Sequence, residues 1–174
     1  VQVAAIAALL EDAETLEACR RFYRESIVPG QMAGDGSFPE ELTRSRPYNY
    51  SIFAVDNLVT LVHILSTPEN DLWSFALPDG RGVKRALAFI YPYLTTPSNW
   101  PFPPDIHDVG GLPFATPFML LAAKGTGESR WYRLYHALPP PPLEEEAQRN
   151  IAIKEPFLWL SRDPGLPDQS PFGW

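Results

Sequence analysis

Apolar residues recur along this chain at helical spacing, and prolines and glycines break the recurrence into segments. Val3, Ile6, Ala7 and Leu10 follow an i, i+3, i+4, i+7 pattern, so the chain opens inside a helix. No Ser, Thr, Asp or Asn stands before Val1 as a cap. Asp12 is placed to cap a second helix over 13–27, with Ala13, Leu16, Cys19, Tyr23 and Ile27 on one face, and Pro29-Gly30 is expected to stop it. Residues 30–46 read as a loop with a tight turn at Gly34-Asp35-Gly36. Pro47 suits the first turn of a helix that runs to Ser66 and buries Ile52, Val55, Leu58, Val62 and Leu65. A helix over 82–95 carries Val83, Leu87, Ile90 and Leu94. Residues 97–113 are dense in proline and read as an extended loop. Thr116-Pro117 then reads as the cap and first residue of a helix to Lys124, with Gly125 as its stop. Glu128 to Ala137 gives the last good helix, with Trp131, Leu134, Tyr135 and Leu138 facing in. Pro139–Pro142 is polyproline II by composition, and 144–150 allows a short helix. The tail from Ile151 holds the apolar runs IAI and FLWL, expected to pack as irregular segments.

These elements come in hairpin-like pairs, and no alternating strand pattern competes with them. The fold class is therefore all-α, built of stacked antiparallel helical hairpins. No strict repeat is visible, yet paired helices suggest a solenoid or toroid. Two regions are expected: a helical-hairpin part over 1–138, and a proline-rich tail over 139–174 packed on it.

Composition narrows the function. The chain has 174 residues and a net charge of −7, from 14 basic and 21 acidic residues. That balance argues against nucleic acid, whose binders need a basic face. No apolar run is long enough to span a membrane. Cys19 is the one cysteine, so neither an internal disulfide nor a cysteine zinc site can form, and its place on an apolar face suggests a buried thiol. Twenty prolines, none before residue 29 and fifteen after residue 90, exclude a long coiled coil.

The densest chemistry lies in DGSFPEELTRSRPYNY, residues 35–50. Arg44 and Arg46 sit in the loop, and Tyr48 and Tyr50 fall in the first turn of the next helix. A phenol ordinarily ionises near pH 10 (about 10), too high for a base at neutral pH. Two cations and a helix N-terminus favour the phenolate, so the spacing offers an activated tyrosine on a rigid element. The plainer alternative pairs the arginines with Glu40 and Glu41 and leaves the tyrosines at the edge of the core.

This stretch resembles the signature of the alginate lyase family: Asp35, Gly36, Ser37, Pro39, Glu41, Leu42, Arg44, Arg46, then Tyr50 and an apolar helix. Weaker similarity continues through Asp71-Leu72-Trp73 and Trp100-Pro101 and covers residues 1 to 137. The resemblance implies an α/α toroid of helical hairpins and β-elimination on uronic-acid polymers. It makes Tyr50 the acid and base and Arg44 its support. Arg46, Tyr48 and Trp100 are then candidates for substrate binding. Such a lyase neutralises the substrate carboxylate with an Asn-Asn-His segment, which is absent from this sequence. In the family that segment lies just upstream of a helix like Val1–Leu10, and Gln2 fits the end of the stretch that follows it. The chain thus resembles the C-terminal part of a family domain, forming part of an incomplete toroid. A separate N-terminal piece, lost or retained as a second chain, is the corresponding expectation. The resemblance also implies secretion, an acidic polysaccharide such as alginate or glucuronan as partner, and no cofactor.

The alternative is a non-catalytic carbohydrate-binding or storage-type protein on the same scaffold, which the acidic balance and the missing Asn-Asn-His favour. The remaining candidates are weaker. Asp105, His107 and Asp108 form a possible metal set, but no helical His spacing supports it, so no metal is expected. His63 lies thirteen residues beyond Tyr50 and reads as a polar helix-face residue. Asn49-Tyr50-Ser51 is a formal glycosylation sequon that overlaps the proposed tyrosine, and is expected to be coincidental. Among the tryptophans, Trp131 reads as core and Trp100 as the better sugar platform.

Overall fold

Nine α-helices follow one another in the described residues, 1–106, 111–149, 151–154 and 160, of this computed structural model. They are α1 (Gln2–Leu9), α2 (Ala13–Phe22), α3 (Val28–Gln31), α4 (Pro39–Leu42), α5 (Pro47–Leu65), α6 (Val83–Thr95), α7 (Phe118–Thr126), α8 (Ser129–Ala137) and α9 (Glu145–Arg149). A π-turn, Tyr23–Ile27, joins α2 to α3, and a 3-10 turn, Pro97–Asn99, follows α6. Among the described residues there is no β-strand, only an isolated bridge between Thr67 and Asn70.

Helix α5 is the hub. It packs against α1, α2, α4, α6 and α7. Its expected stripe is buried in full, with Val55, Val62 and Leu65 at zero exposure. Val83, Leu87, Ile90 and Leu94 of α6 are buried against the same core, as is Trp131 of α8. The helix starts also follow sequence chemistry. Asp12 caps α2, accepting from the Thr15 amide at 3.0 Å and the Thr15 hydroxyl at 2.7 Å.

Five expectations need correction. The first helix does not bury the stripe Val3, Ile6 and Leu10. It buries Ala4 and Ala7, and leaves Val3, Ile6, Leu9 and Leu10 exposed. An almost wholly apolar helix has no polar face to fix its rotation, and its alanines allow the closest approach to α2 and α5.

Pro29-Gly30 does not stop the second helix. The Val28 amide reaches back five residues to the Tyr23 carbonyl, and the chain continues through Pro29 to Gln31. Pro29 lacks an N–H and would press on a regular ladder, and the wider π-turn just before it relieves that conflict. Arg81 Nη1 then donates to the Pro29 and Met32 carbonyls, each at 2.9 Å, at the open end of this helix.

Gly125 is not the stop of α7. The helix ends one turn-step later at Gly127, which takes the left-handed conformation with φ 72°. Gly125 is there for a different reason: a Cβ on it would collide with the Trp73 indole. Thr116 does not cap α7, since its hydroxyl is buried without a partner and Pro117 stands at the cap position. Finally, Cys19 is half-buried rather than fully buried.

The described part of the tail packs as expected for irregular apolar segments. Ile151 joins Phe114 and Ala147 in a small cluster, and Ile153 reaches the main core. Of the FLWL run only Leu160 lies within the described residues, where it packs on that core. Asp56, buried on α5, ties the tail down by accepting from the Ala152 amide at 3.2 Å. Burial pushes the Asp56 carboxyl up to about 7, against the opposing effect of hydrogen bonds from Ala152 and Thr60.

Two predictions follow from these contacts. Gly125→Ala forces the Trp73 ring to move and should cost about 1–3 kcal/mol, read as a lower Tm; an unchanged Tm would show that the ring yields freely. For Asp56 the folded state holds its proton more tightly than the unfolded state. Its contribution is therefore full below pH ~4 and is lost as pH rises towards about 7. Asp56→Asn should raise Tm relative to the parent at pH 8, with the gap shrinking by pH 4. A gap independent of pH would refute this.

Candidate active site

The signature loop is held by its own side chains and by α6. Asp35 Oδ1 accepts from the Ser37 amide at 2.9 Å and the Ser37 hydroxyl at 2.7 Å. Partial burial opposes its charge, but these hydrogen bonds outweigh that and hold the carboxyl below its ordinary value. Gly36 has φ 95° and lies so close to α6 that a Cβ would strike the Arg85 carbonyl. Arg85 Nε closes the contact by donating to the Gly34 carbonyl at 3.0 Å. Pro39 then opens α4, and Phe38 is buried beneath it. The Asp-Gly-Ser turn is thus a clasp that fixes where the following arginines can reach.

Those arginines converge on Tyr50. The Arg44 guanidinium lies 3.8 Å from the Tyr50 ring centroid and that of Arg46 lies 5.4 Å away. Arg46 Nη2 also donates to the Tyr50 hydroxyl at 3.4 Å. Tyr50 itself is half-buried. Arg44 is at the same time paired with Glu41 at 3.2 Å, with Arg44 exposed and Glu41 half-buried. The convergence of both arginines on Tyr50 and one of the plainer ion pairs therefore coexist.

Tyr48 and Trp100 are not part of this group. Residues two apart on a helix point to nearly opposite sides, so Tyr48 faces away from Tyr50. The Tyr48 hydroxyl donates to the Tyr93 carbonyl at 2.8 Å, and its ring lies 5.0 Å from Trp100. Burial, followed by the nearby Asp105 charge, raises its ionisation well above the ordinary phenol range. Trp100 is half-buried among Tyr48, Tyr93, Phe89 and Phe102. Its Nε1 donates to the Pro103 carbonyl at 3.3 Å.

The structure adds one residue to this region that sequence reasoning had considered only as a metal ligand. Asp105 accepts from the Tyr48 amide at 2.9 Å through Oδ1 and from the Asn49 amide at 3.1 Å through Oδ2. Arg46, at the cap position of α5, offers no side-chain cap. A helix start without a local capping residue was the signal that a distant one had to exist. His107 and Asp108 lie outside the described residues. Among the described residues no three His, Cys, Asp or Glu side chains come together to hold a metal. Asn49 is 5% exposed, which leaves the sequon no room for a glycan. Trp73 is buried against Gly125, its amide bound to Asp71 at 2.9 Å, so it serves packing.

An open groove of about 390 Å³ runs beside α5, lined by Val1, Ile27, Phe38, Glu41, Phe53 and Asn57 among others. Phe53 and Asn57 follow Tyr50 on one face of the helix, at i+3 and i+7.

A family profile described as alginate lyase matches residues 1–100. The chain belongs to the alginate lyase family. Among solved structures, an alginate lyase from Bacteroides ovatus superposes with a TM-score of 0.67 over 81% of this chain, at 23% identity. That likeness bears on the fold, and it agrees with an all-α, toroid-like stack of helical hairpins. The chain spans 37% of the length of that protein. No curated protein matches the chain. No helix among the described residues is long and apolar enough to cross a membrane.

Proposed function

We propose that this chain supplies the tyrosine–arginine half of a polysaccharide-lyase site that acts by β-elimination on a uronate polymer such as alginate or glucuronan. The observation that carries the reading is the convergence of Arg44 and Arg46 on Tyr50. In the elimination a base removes the C5 proton, the C5–H electron pair becomes the C4=C5 double bond, and the C4–O bond breaks. The leaving oxygen then takes a proton. Tyr50 suits both proton transfers, since its hydroxyl stands at the half-exposed start of α5. The Arg46 guanidinium at that hydroxyl stabilises negative charge on it, and Arg44 stacks on the ring and holds it in place. Arg46 also offers a cation to the substrate. Tyr48 is buried with its hydroxyl on the Tyr93 carbonyl, so of the two aromatic candidates for sugar binding the half-buried Trp100 is the one with surface to offer.

Neutralising the C5 carboxylate needs a further group. In this reading it is the Asn-Asn-His segment of the family, which these 174 residues do not contain. Secretion follows from the polymer, which is found outside cells.

A second reading is a carbohydrate-binding protein without turnover. The Arg44–Glu41 pair favours it, because it offsets one of the two cations the polymer would need.

The test is the absorbance of the unsaturated uronate product when the protein, with the Asn-Asn-His segment present, meets alginate or glucuronan. A rise is expected. Tyr50→Phe should lower turnover by ~10² or more while sparing sugar binding. No rise with any uronate polymer would favour the binding reading, and full turnover by Tyr50→Phe would remove Tyr50 from the chemistry.

A further inference from the structure

Helix α5 begins with an unusual set of amides. Pro47, its first residue, has no N–H. The Tyr50 amide already bonds back to the Arg46 carbonyl at 2.9 Å. The two donors left over in the first turn are Tyr48 and Asn49, and both end on Asp105. A single carboxylate from a loop more than fifty residues away thus completes the start of the helix. The same loop is tied one residue before the cap, where the Ile106 amide donates to the Ser45 carbonyl at 3.0 Å. Ser45 lies between Arg44 and Arg46, and Tyr50 follows Asn49 directly. The 105–106 segment therefore grips the chain on both sides of the cap, within two residues of every member of the Arg44–Arg46–Tyr50 group.

We propose that Asp105 is a positioning residue for the Tyr50 site, setting the geometry of the first turn of α5 so that Tyr50 meets both guanidiniums. The inference rests on the lyase reading for its catalytic consequence, though not for its geometry. Asp105 touches no substrate in this scheme. It holds the two amides that fix the direction in which α5 starts, and Tyr50 sits only one residue further on. Release of those amides lets the turn fray and carries the ring away from Arg44 and the hydroxyl away from Arg46. There is also a consequence for recognition. The Asp105 charge occupies the positive end of α5, where an incoming carboxylate would otherwise be drawn. A uronate carboxylate is thereby left to the arginines and to the neutralising segment.

The experiment compares the parent with Asp105→Ala, Asp105→Asn and Asp105→Ser under the lyase assay above, together with Tm. Asp105→Ala should lower kcat roughly 10–100-fold with KM within about twofold. Asp105→Asn and Asp105→Ser, which keep a capping oxygen, should recover most of that kcat. A purely structural role would lower Tm without this kcat-specific loss and without rescue. A kcat for Asp105→Ala within twofold of the parent overturns the proposal, as does loss confined to KM. If Asp105→Ala does not fold, Asp105→Leu, which also lacks a capping oxygen, takes its place, and a kcat within twofold of the parent overturns the proposal.

A parent with no turnover on any uronate polymer counts against the lyase reading, and the clasp is then judged by NMR alone. The Tyr50 ring should shift the Arg44 side-chain protons upfield in the parent. Asp105→Ala, or Asp105→Leu if Ala does not fold, should return them towards unstructured values. Unmoved Arg44 signals in the variant overturn the proposal independently of any activity.

Discussion

Burial of α5 is the constraint on which the rest of the molecule depends. A helix of 19 residues is touched by five others, and most of its side chains have no water to face. Apolar burial rewards this arrangement at ~25 cal/mol per Å², but the same burial penalises any polar group left on the helix. Asn49, Ser51, Asp56 and Thr60 are all nearly fully buried there. Asp56 recovers hydrogen bonds from Thr60 and the Ala152 amide, whereas the Asn49 carbonyl oxygen and Ser51 hydroxyl have none within the protein. The helix that organises the core therefore also carries its least comfortable polar atoms. They cluster towards the end that bears Tyr50, and buried strain of this kind is tolerated where a site needs fixed groups.

The surrounding elements serve to orient that end. The Asp35–Ser37 turn, Gly36 against α6 and Arg85 on Gly34 lock the loop from one side. Asp105 locks it from the other. Between the two clasps the chain has little freedom, so the spacing from Arg44 to Tyr50 in sequence becomes a fixed separation in space. The signature residues divide accordingly. Asp35 and Gly36 act on the backbone, and Arg44, Arg46 and Tyr50 present side chains.

How much of this was legible in the sequence depended on whether the deciding partner was local. The α6 stripe was readable because Lys84 and Arg85 contrast with it, and the α5 stripe because its apolar residues keep helical spacing throughout, although α5 also buries Asn49, Ser51, Asp56 and Thr60. The rotation of α1 was not, because Val3, Ile6, Leu9 and Leu10 offer no contrast with Ala4 and Ala7. The Asp12 cap was readable from three neighbouring residues. The passage through Pro29 was not, since it depends on a π-turn, and the role of Gly125 depends on Trp73, some fifty residues earlier. At the site, the Arg–Tyr motif was readable as a motif. The separation of Tyr48 from Tyr50 followed from helical period alone and could have been seen, yet the two were grouped as neighbours in the first turn. Asp105 was read only as a candidate metal ligand beside His107 and Asp108, because the amides it caps lie more than fifty residues away in sequence.

The acidic balance of the chain poses a last question for a polyanionic partner, and the geometry near Tyr50 bears on it. The nearby carboxylates are already engaged: Asp35 on Ser37, Asp105 on two amides, Glu41 on Arg44. Their charge is thus partly offset where a polymer would approach. The Glu41–Arg44 pair is the exposed member of this set, and such pairs are worth about 0–1 kcal/mol. Exchange of Glu41 for a uronate carboxylate at Arg44 therefore costs little, provided the new partner is held by other contacts as well. Arg46 on the Tyr50 hydroxyl is half a turn closer to the chemistry and less easily spared. Arg44 can thus change its carboxylate partner while stacked on the ring, and Arg46 holds the phenol and offers its cation beside it, which is what a site needs if it must both admit an anion and keep its tyrosine in place.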